Sequence, residues 1–419
     1  MKMLKKYIIT VVLILLSTLM TACSSRVEEA LNDEGYNLYL EGLYDEAITH
    51  YTQSLVDYPE YGAFYSNRGM AYYEKGDVAL ALKDLNQAIV LEPDMPEAYL
   101  NRGTVYLGSR VYDQASKDFY KAIQLKGNFK DENGLYYTYL NLGTLLNENS
   151  QTQEALVILE KAFELNNNDE KLYNALGLIY KSVGDYDRAM DYFNGAIELK
   201  EDYAYAYGNR GSVYYLMEEY RIALSDVNTA LSMDPYIPQM YDLKAKILIK
   251  TGELKEAIRI LDAGITRWVN YADLYITRGN IYFGEKAYGE ALMNYGLGIE
   301  YGSVEGYKGQ GVTYQIIGQY EDAIIQLETY LQNYPADIST LITLGMVYRQ
   351  TKNYEMSMTQ YDKVLSLSTQ HIEAMYQKVL TYVDMQAISE AEMLLNQILS
   401  IDPDHKASEE ALINIGVKQ

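Results

Sequence analysis

The sequence predicts an all-α chain, an α-solenoid of about eleven stacked helix-turn-helix hairpins, and three observations carry the prediction. A unit of about 34 residues recurs from Glu28 to His405. Within it a small residue returns at place 8: Gly35, Gly69, Gly103, Gly143, Gly177, Gly211, Ala245, Gly279, Gly311 and Gly345, with Val379 the exception. A second small residue returns at place 20, from Ala47, Ala81 and Ala115 through to Ala391, with Ser357 the one non-alanine. The apolar positions between these two marks fall at three- and four-residue steps, the spacing of one face of a helix. A stack of such units has an extended surface and offers no cleft that would gather catalytic groups.

The chain begins with an address. Lys2, Lys5 and Lys6 precede the apolar stretch 7–16, and Ser17 to Ala22 lead to Cys23, the order of charge and hydrophobicity found in an export signal. The stretch is short for a membrane span of about 20 apolar residues. The run Leu19-Met20-Thr21-Ala22-Cys23 resembles the lipobox of bacterial lipoproteins, with Met20 standing where Leu is usual. That resemblance implies cleavage after residue 22 and a diacylglyceryl group on Cys23, so residues 1–22 read as signal peptide and 23–27 as a lipidated linker. Two acyl chains suffice for stable anchoring. The protein is therefore expected at the cell membrane on its extracytoplasmic face, or at the outer membrane of a diderm bacterium.

Charge and residue counts narrow the function. The chain holds 35 basic and 58 acidic side chains, a formal charge of −23, which argues against nucleic acid as a partner. Loss of residues 1–22 removes three Lys and no acid, leaving −26, so the body should stand off anionic headgroups. Cys23 is the single cysteine, and no intramolecular disulfide can form. His50, His371 and His405 are too scattered to suggest a metal cluster or a nucleophile-base pair. No metal, cofactor or enzymatic activity is expected. The 45 Tyr far outnumber the 6 Phe, and most fall at fixed core places of the repeat, where an apolar body with a polar tip suits packing.

The units follow in order: 28–129 holds units 1 to 3, 130–135 is an insertion, 136–303 holds units 4 to 8, 304–405 holds units 9 to 11, and 406–419 is a capping helix. In the second unit Tyr65, Gly69 and Tyr72 mark a first helix, Gly76-Asp77 a turn, Ala81, Leu85 and Ala88 a second helix, and Pro93 its end. This pattern resembles the tetratricopeptide repeat, with an aromatic at place 4, Leu-Gly at 7 and 8, Tyr at 11, Ala at 20 and 27, an aromatic at 24 and Pro at 32. The resemblance covers nearly all of the chain after Cys23. It implies a right-handed solenoid whose first helices line a concave groove that binds a protein or peptide. Unit 8 is two residues short before Val304, and the glycine-dense segment there, Gly296 to Gly311, reads as a hinge.

Place 7 and place 23 vary together. Arg68, Arg102 and Arg210 stand sixteen residues before Asp84, Asp118 and Asp226, and each pair is read as an ion pair inside one hairpin. Arg278 is matched by Asn294, Leu142 by Ile158, and Glu34 by His50 with the sense reversed. At the places that meet ligand in tetratricopeptide proteins stand Tyr36, Tyr39, Tyr73, Tyr137, Tyr205, Tyr215 and Phe283, while Asn67, Asn101, Asn141 and Asn209 recur at place 6. An Asn amide donates to and accepts from a peptide backbone at once, so this row suits an extended segment. The family's carboxylate clamp is not assembled, because Lys308 is the only Lys at place 5 and Val312 fills its place 9. The function expected is an anchored adaptor for a protein or peptide. The alternative is a lipoprotein that binds cell-wall or carbohydrate polymer on its Tyr platforms.

Overall fold

The computed structural model of the protein describes residues 26–416. The signal segment 1–22 and Cys23 lie outside the described residues. The structure is all-α. By its internal contacts the chain divides into two compact units, Met1–Val213 and Tyr214–Gln419.

In the first unit residues 26–40 form α1. There follow α2 (Tyr44–Asp57), α3 (Gly62–Glu74), α4 (Val78–Leu91), α5 (Pro96–Gly108), α6 (Tyr112–Gln124), α7 (Glu132–Glu148), α8 (Thr152–Leu165), α9 (Glu170–Ser182) and α10 (Tyr186–Leu199). Helix α11 (Ala204–Leu216) carries the boundary between the units. The second unit continues with α12 (Tyr220–Met233), α13 (Pro238–Lys250), α14 (Leu254–Arg267), α15 (Ala272–Gly284), α16 (Tyr288–Glu300) and α17 (Glu305–Ile316). It ends with α18 (Tyr320–Asn333), α19 (Ile338–Gln350), α20 (Tyr354–Leu367), α21 (Ile372–Asp384), α22 (Ile388–Ile401) and α23 (Lys406–Gly416). Odd-numbered helices are the first helices of hairpins. In each unit a first helix packs on its own second helix and also touches the first helix of the next hairpin, as α3 does with α5 and α15 with α17. First helices therefore share one face.

The core is a repeated contact. The place-20 alanines, such as Ala81, Ala155 and Ala291, are fully buried. Eight of the place-8 glycines, Gly35, Gly69, Gly103, Gly143, Gly177, Gly279, Gly311 and Gly345, meet the large residue at place 24 of their own hairpin: a Cβ on Gly103 would lie 2.7 Å from Phe119 Cε1, and one on Gly345 would lie 2.5 Å from Tyr361 Cε1. Glycine costs about 1 kcal/mol in a helix interior relative to Ala. It persists because the alternative is overlap with an aromatic ring or a leucine side chain.

Every hairpin turns through one left-handed residue at place 15. Five are glycines, among them Gly76 and Gly252, and six are not: Arg110, Ser150, Glu218, Lys286, Lys352 and Gln386, with φ between 59° and 63°. The backbone hydrogen bonds show why. In the second hairpin Gly76 N donates to Tyr73 O (2.8 Å) and Asp77 N to Tyr72 O (2.9 Å), the paired bonds that close a helix by the Schellman motif. The same pair recurs around Lys286, from Lys286 N to Phe283 O and Ala287 N to Tyr282 O.

The two irregular joints have local causes. Residues 126–128 form a 3₁₀ turn, and α7 then starts within the segment expected to be an insertion, because Asp131 accepts hydrogen bonds from the N–H groups of Asn133 (2.9 Å) and Gly134 (3.2 Å). Helix α7 is consequently 17 residues long where most first helices have 13. At the short joint, Gly302 (φ 95°) ends α16 with its own Schellman pair, Gly302 N to Ile299 O and Ser303 N to Gly298 O, and the chain enters α17 at once. Gly298, Gly306, Gly309 and Gly311 of this segment are packing residues. A Cβ on Gly306 would lie 2.6 Å from both Ile299 Cγ1 and Tyr295 O, and one on Gly309 would lie 2.6 Å from Tyr295 Cε1.

Candidate functional site

The place-7 arginines are structural and make more contacts than one carboxylate supplies. Arg68 Nε and Nη2 donate to Asp84 Oδ2 (2.7 Å) and Oδ1 (3.0 Å), and Arg102 makes the same fork to Asp118 at 2.7 Å on both arms. The remaining nitrogen, Nη1, reaches place 25 of the preceding hairpin: Arg68 to Thr52 Oγ1, Arg102 to Asn86 Oδ1 and Arg278 to Asp262 Oδ1. Arg210 Nη1 likewise donates to Asn194 Oδ1 at 2.7 Å. Arg210 and its place-23 residue Asp226 fall on opposite sides of the unit boundary. Tyr rings at places 4 and 11 flank the guanidinium, with Arg68 5.6 Å from the Tyr65 centroid and 5.9 Å from that of Tyr72. Much of the tyrosine excess is thereby accounted for as packing. The reversed pair does not form: His50 Nε2 lies 2.7 Å from Leu31 O and not against Glu34.

In the first unit the place-6 asparagines bind the neighbouring first helix. The amide Nδ2 of Asn67 donates to Asn32 Oδ1 (2.8 Å), that of Asn101 to Ser66 Oγ (3.0 Å), that of Asn141 to Thr104 Oγ1 (3.2 Å) and that of Asn209 to Asn174 Oδ1 (2.8 Å). The row thus sets the spacing of first helices. Around it Tyr36, Tyr137 and Tyr205 are about half exposed. Tyr36 stacks on Tyr39, whose hydroxyl donates to Glu74 Oε1. The Tyr137 hydroxyl is pushed up by burial and then by the charges of Asp169, Tyr36 and Glu170. Tyr73 is half-buried, and its hydroxyl is raised by burial and by Glu74.

The second unit contains a cavity of about 480 Å³ on its first-helix face. Helix α13 contributes Lys246, α15 contributes Asp273, Thr277, Asn280 and Phe283, and α17 contributes Glu305 and Lys308. All of these stand at places 2, 5, 6, 9 or 12 of the repeat. Neighbours hold the polar groups in position. Lys246 Nζ lies 2.6 Å from Asp242 Oδ2, and Thr277 Oγ1 donates to Asp242 Oδ1. Burial raises the Asp242 carboxyl despite that ammonium. Lys308 Nζ donates to Asp337 Oδ2 (3.2 Å) and Ser339 Oγ (3.0 Å), Tyr330 donates to Glu305 Oε1 (3.2 Å), and Tyr295 donates to Asn280 Oδ1 (2.8 Å). Two ammonium groups, two carboxylates, an amide and a Phe ring thus face one space, a set suited to main-chain amides with one apolar side chain.

Of the groove residues proposed from the sequence, Phe283 lines this cavity, Tyr215 is half-buried in the second unit beside Tyr220 (5.8 Å between centroids), and the others lie in the first unit; Lys308 and Val312, singled out for the clamp that is not assembled, also line the cavity. Lys246, Asp273, Asn280 and Glu305 were not singled out. Their signal was their place number alone, since the residue types at those places differ from hairpin to hairpin. Among the described residues no cluster of three His, Cys, Asp or Glu is placed to hold a metal ion.

A solenoid of helix hairpins with a 34-residue frame and a ligand-sized first-helix cavity defines the class, and comparison with known proteins identifies the repeat. The tetratricopeptide repeat family matches residues 96–129, 136–169, 170–203, 338–371 and 372–405, and a related TPR repeat family matches 69–109. These segments are tetratricopeptide repeats. Anaphase-promoting complex subunit 3 of Schizosaccharomyces pombe is 28% identical over 176 residues, which is 42% of this chain and 26% of that protein. The chain thus matches about a quarter of the length of that curated relative. Among solved structures, the APC/C hetero-tetramer Cut9-Hcn1 aligns at 15% identity with a TM-score of 0.52, covering 91% of this chain and 95% of that one, a likeness of fold alone. YrrB, described as a TPR protein with an unusual peptide-binding site, aligns at 26% identity over 44% of this chain and 93% of its own, with a TM-score of 0.35.

Proposed function

We propose that the protein is an adaptor, anchored through a lipid on Cys23 at the extracytoplasmic face of the cell membrane, that holds a protein or peptide partner on its first-helix faces. Tetratricopeptide repeats are scaffolds for protein-protein contact, and the single observation that carries the reading here is the cavity between α13, α15 and α17. Its walls are made by the places at which the repeat meets ligand. Its charges are of both signs, so it matches a peptide main chain better than an anionic polymer, which Asp273 and Glu305 repel.

Binding of a fluorescent peptide library to the mature protein, competed with cell-wall fragments, tests this reading. Selected peptides should bind, wall fragments should not displace them, and Phe283→Ala or Asp273→Ala should weaken binding without lowering the melting temperature. Displacement by wall fragments would favour the polymer-binding alternative. The anchor is tested by Cys23→Ala, which should move the protein out of the membrane fraction; a variant that stays with the membrane would sink this part of the proposal.

A further inference from the structure

The arginine contacts form a repeated socket, and the fifth hairpin keeps part of its walls without the arginine. In the second, third and eighth hairpins the place-7 guanidinium meets a Tyr at place 4, the side-chain oxygen at place 23 and the side-chain oxygen at place 25 of the hairpin before. The fourth hairpin closes the same position with an apolar pair, Leu142 and Ile158, both buried in one core cluster. The fifth does neither. Leu176 stands at its place 7, 2% exposed, with no polar atom to reach outward.

The walls that would receive a guanidinium remain. Tyr173 and Tyr180 keep places 4 and 11. Glu160 stands at place 25 of the preceding hairpin, where Thr52, Asn86, Asn194 and Asp262 accept from Nη1 in the filled sockets. Place 23 holds Tyr192, whose ring is parallel to that of Tyr180 within 4° at 5.3 Å. Between α8, α9 and α10 lies an open cavity of about 290 Å³, lined by Glu160, Phe163, Glu164, Tyr180 and Tyr192 above the floor made by Leu176; Tyr173 does not line it. Among the described residues neither Glu160 nor Glu164 is held in an ion pair. The nearest mobile cation, Arg188, is committed to Asp185 and to the face of Tyr180, 4.4 Å from its centroid.

We propose that this cavity takes an arginine side chain from a protein partner, at a site separate from the first-helix cavity of the second unit. Aromatic rings and two carboxylates without a cation are complementary to a positive group. The chain's own usage favours guanidinium over ammonium: in the second, third and eighth hairpins the Arg lies beside a Tyr ring while its nitrogens meet oxygen acceptors in two hairpins. Cavity, charge and register agree, and the site needs no contribution from the proposed groove.

The test titrates the peptide acetyl-Gly-Arg-Gly-amide, and its lysine and citrulline counterparts, into the full-length protein with ligand-observed nuclear magnetic resonance. Arginine peptide should bind with a millimolar dissociation constant, citrulline peptide should not, and Glu160→Gln, a change at an exposed position, should raise the constant roughly five- to tenfold. Leu176→Arg should fill the socket from within and abolish binding. Citrulline binding as tight as arginine, lysine binding as tight as arginine, or an unchanged constant in Glu160→Gln would each overturn the proposal. Self-association that Glu160→Gln abolishes would assign the arginine to a second copy of this chain and overturn the assignment to a different partner.

Discussion

Arg102 and Asp118 meet edge to edge: Nε and Nη2 donate across 2.7 Å to the two carboxylate oxygens, while Nη1 donates across 2.6 Å to Asn86 of the hairpin before. Asp118 lies sixteen residues ahead of Arg102, and Asn86 sixteen behind. One side chain thereby closes its own hairpin and fastens it to its neighbour. The hydrogen bonds that Arg102 donates to Asp118 act against burial and hold the guanidinium pKa above its usual value.

The fork should behave as a coupled pair. Asp118→Ala leaves a half-buried guanidinium without its acceptor and should cost about 2–3 kcal/mol. The double change Arg102→Leu with Asp118→Ile copies the apolar pair of the fourth hairpin and should cost much less than the single changes together. Denaturant melts of the four proteins give the coupling energy. A coupling near zero would mean that the Tyr rings, and not the carboxylate, hold the arginine.

Gly143 makes the clash argument concrete. A Cβ there would lie 2.6 Å from Leu159 Cγ and 3.4 Å from Ala155 O, and Val adds two methyl groups to that overlap. Gly143→Val should destabilise by about 2–4 kcal/mol. Adding Leu159→Ala to the same protein should recover part of the loss by opening the space. If the melting temperature of Gly143→Val matched that of the parent, close helix approach could not be why glycine stands at place 8.

Lys286 offers a change in the other direction. It holds φ at 62° in a turn where five of its ten counterparts in other hairpins are glycine. A side chain in the left-handed region costs roughly 1 kcal/mol, and glycine removes that cost at a smaller loss of chain entropy. Lys286→Gly is therefore expected to raise stability by about 0.5–1 kcal/mol. A lower melting temperature would show that the lysine side chain makes a contribution greater than its strain.

The contrast between places 8 and 15 shows how much of this molecule could be read from its sequence. Place 8 is legible because one chemical demand, no side chain, is met by one residue type, and place 20 for the same reason. Place 15 is not, because its demand falls on the backbone and is met by Gly, Arg, Ser, Glu, Lys and Gln alike. The arginine fork was visible as a spacing, whereas the backward reach to Asn86 was hidden because Thr, Asn and Asp all serve as acceptor. The cavity between α13, α15 and α17 escaped notice because its residues share a face without sharing a type. The early start of α7 turned on a cap, Asp131, that lies outside the repeat frame.

Asp337 links the second unit's cavity to acid stability. Its carboxylate caps α19, accepting from Thr340 N (2.7 Å) and Ser339 Oγ (2.7 Å), and it receives Lys308 Nζ from the cavity wall at 3.2 Å. Burial acts to raise its pKa, but the bonds from Ser339, Thr340 and Lys308 outweigh it and hold the carboxyl at about 2. A folded-state pKa below the unfolded one favours folding at pH values above the unfolded value, near 4, and that contribution disappears as pH falls from there through about 2. Because the group is partly exposed, its worth is discounted to about 1 kcal/mol. Asp337→Asn should therefore be less stable than the parent at pH 7, and the gap should shrink between pH 4 and pH 2. Urea melts at pH 7, 4, 3 and 2 measure the gap. A difference that stays constant across this range would show that the aspartate acts through its shape and not through its charge, and would remove Lys308 from the interactions that hold it.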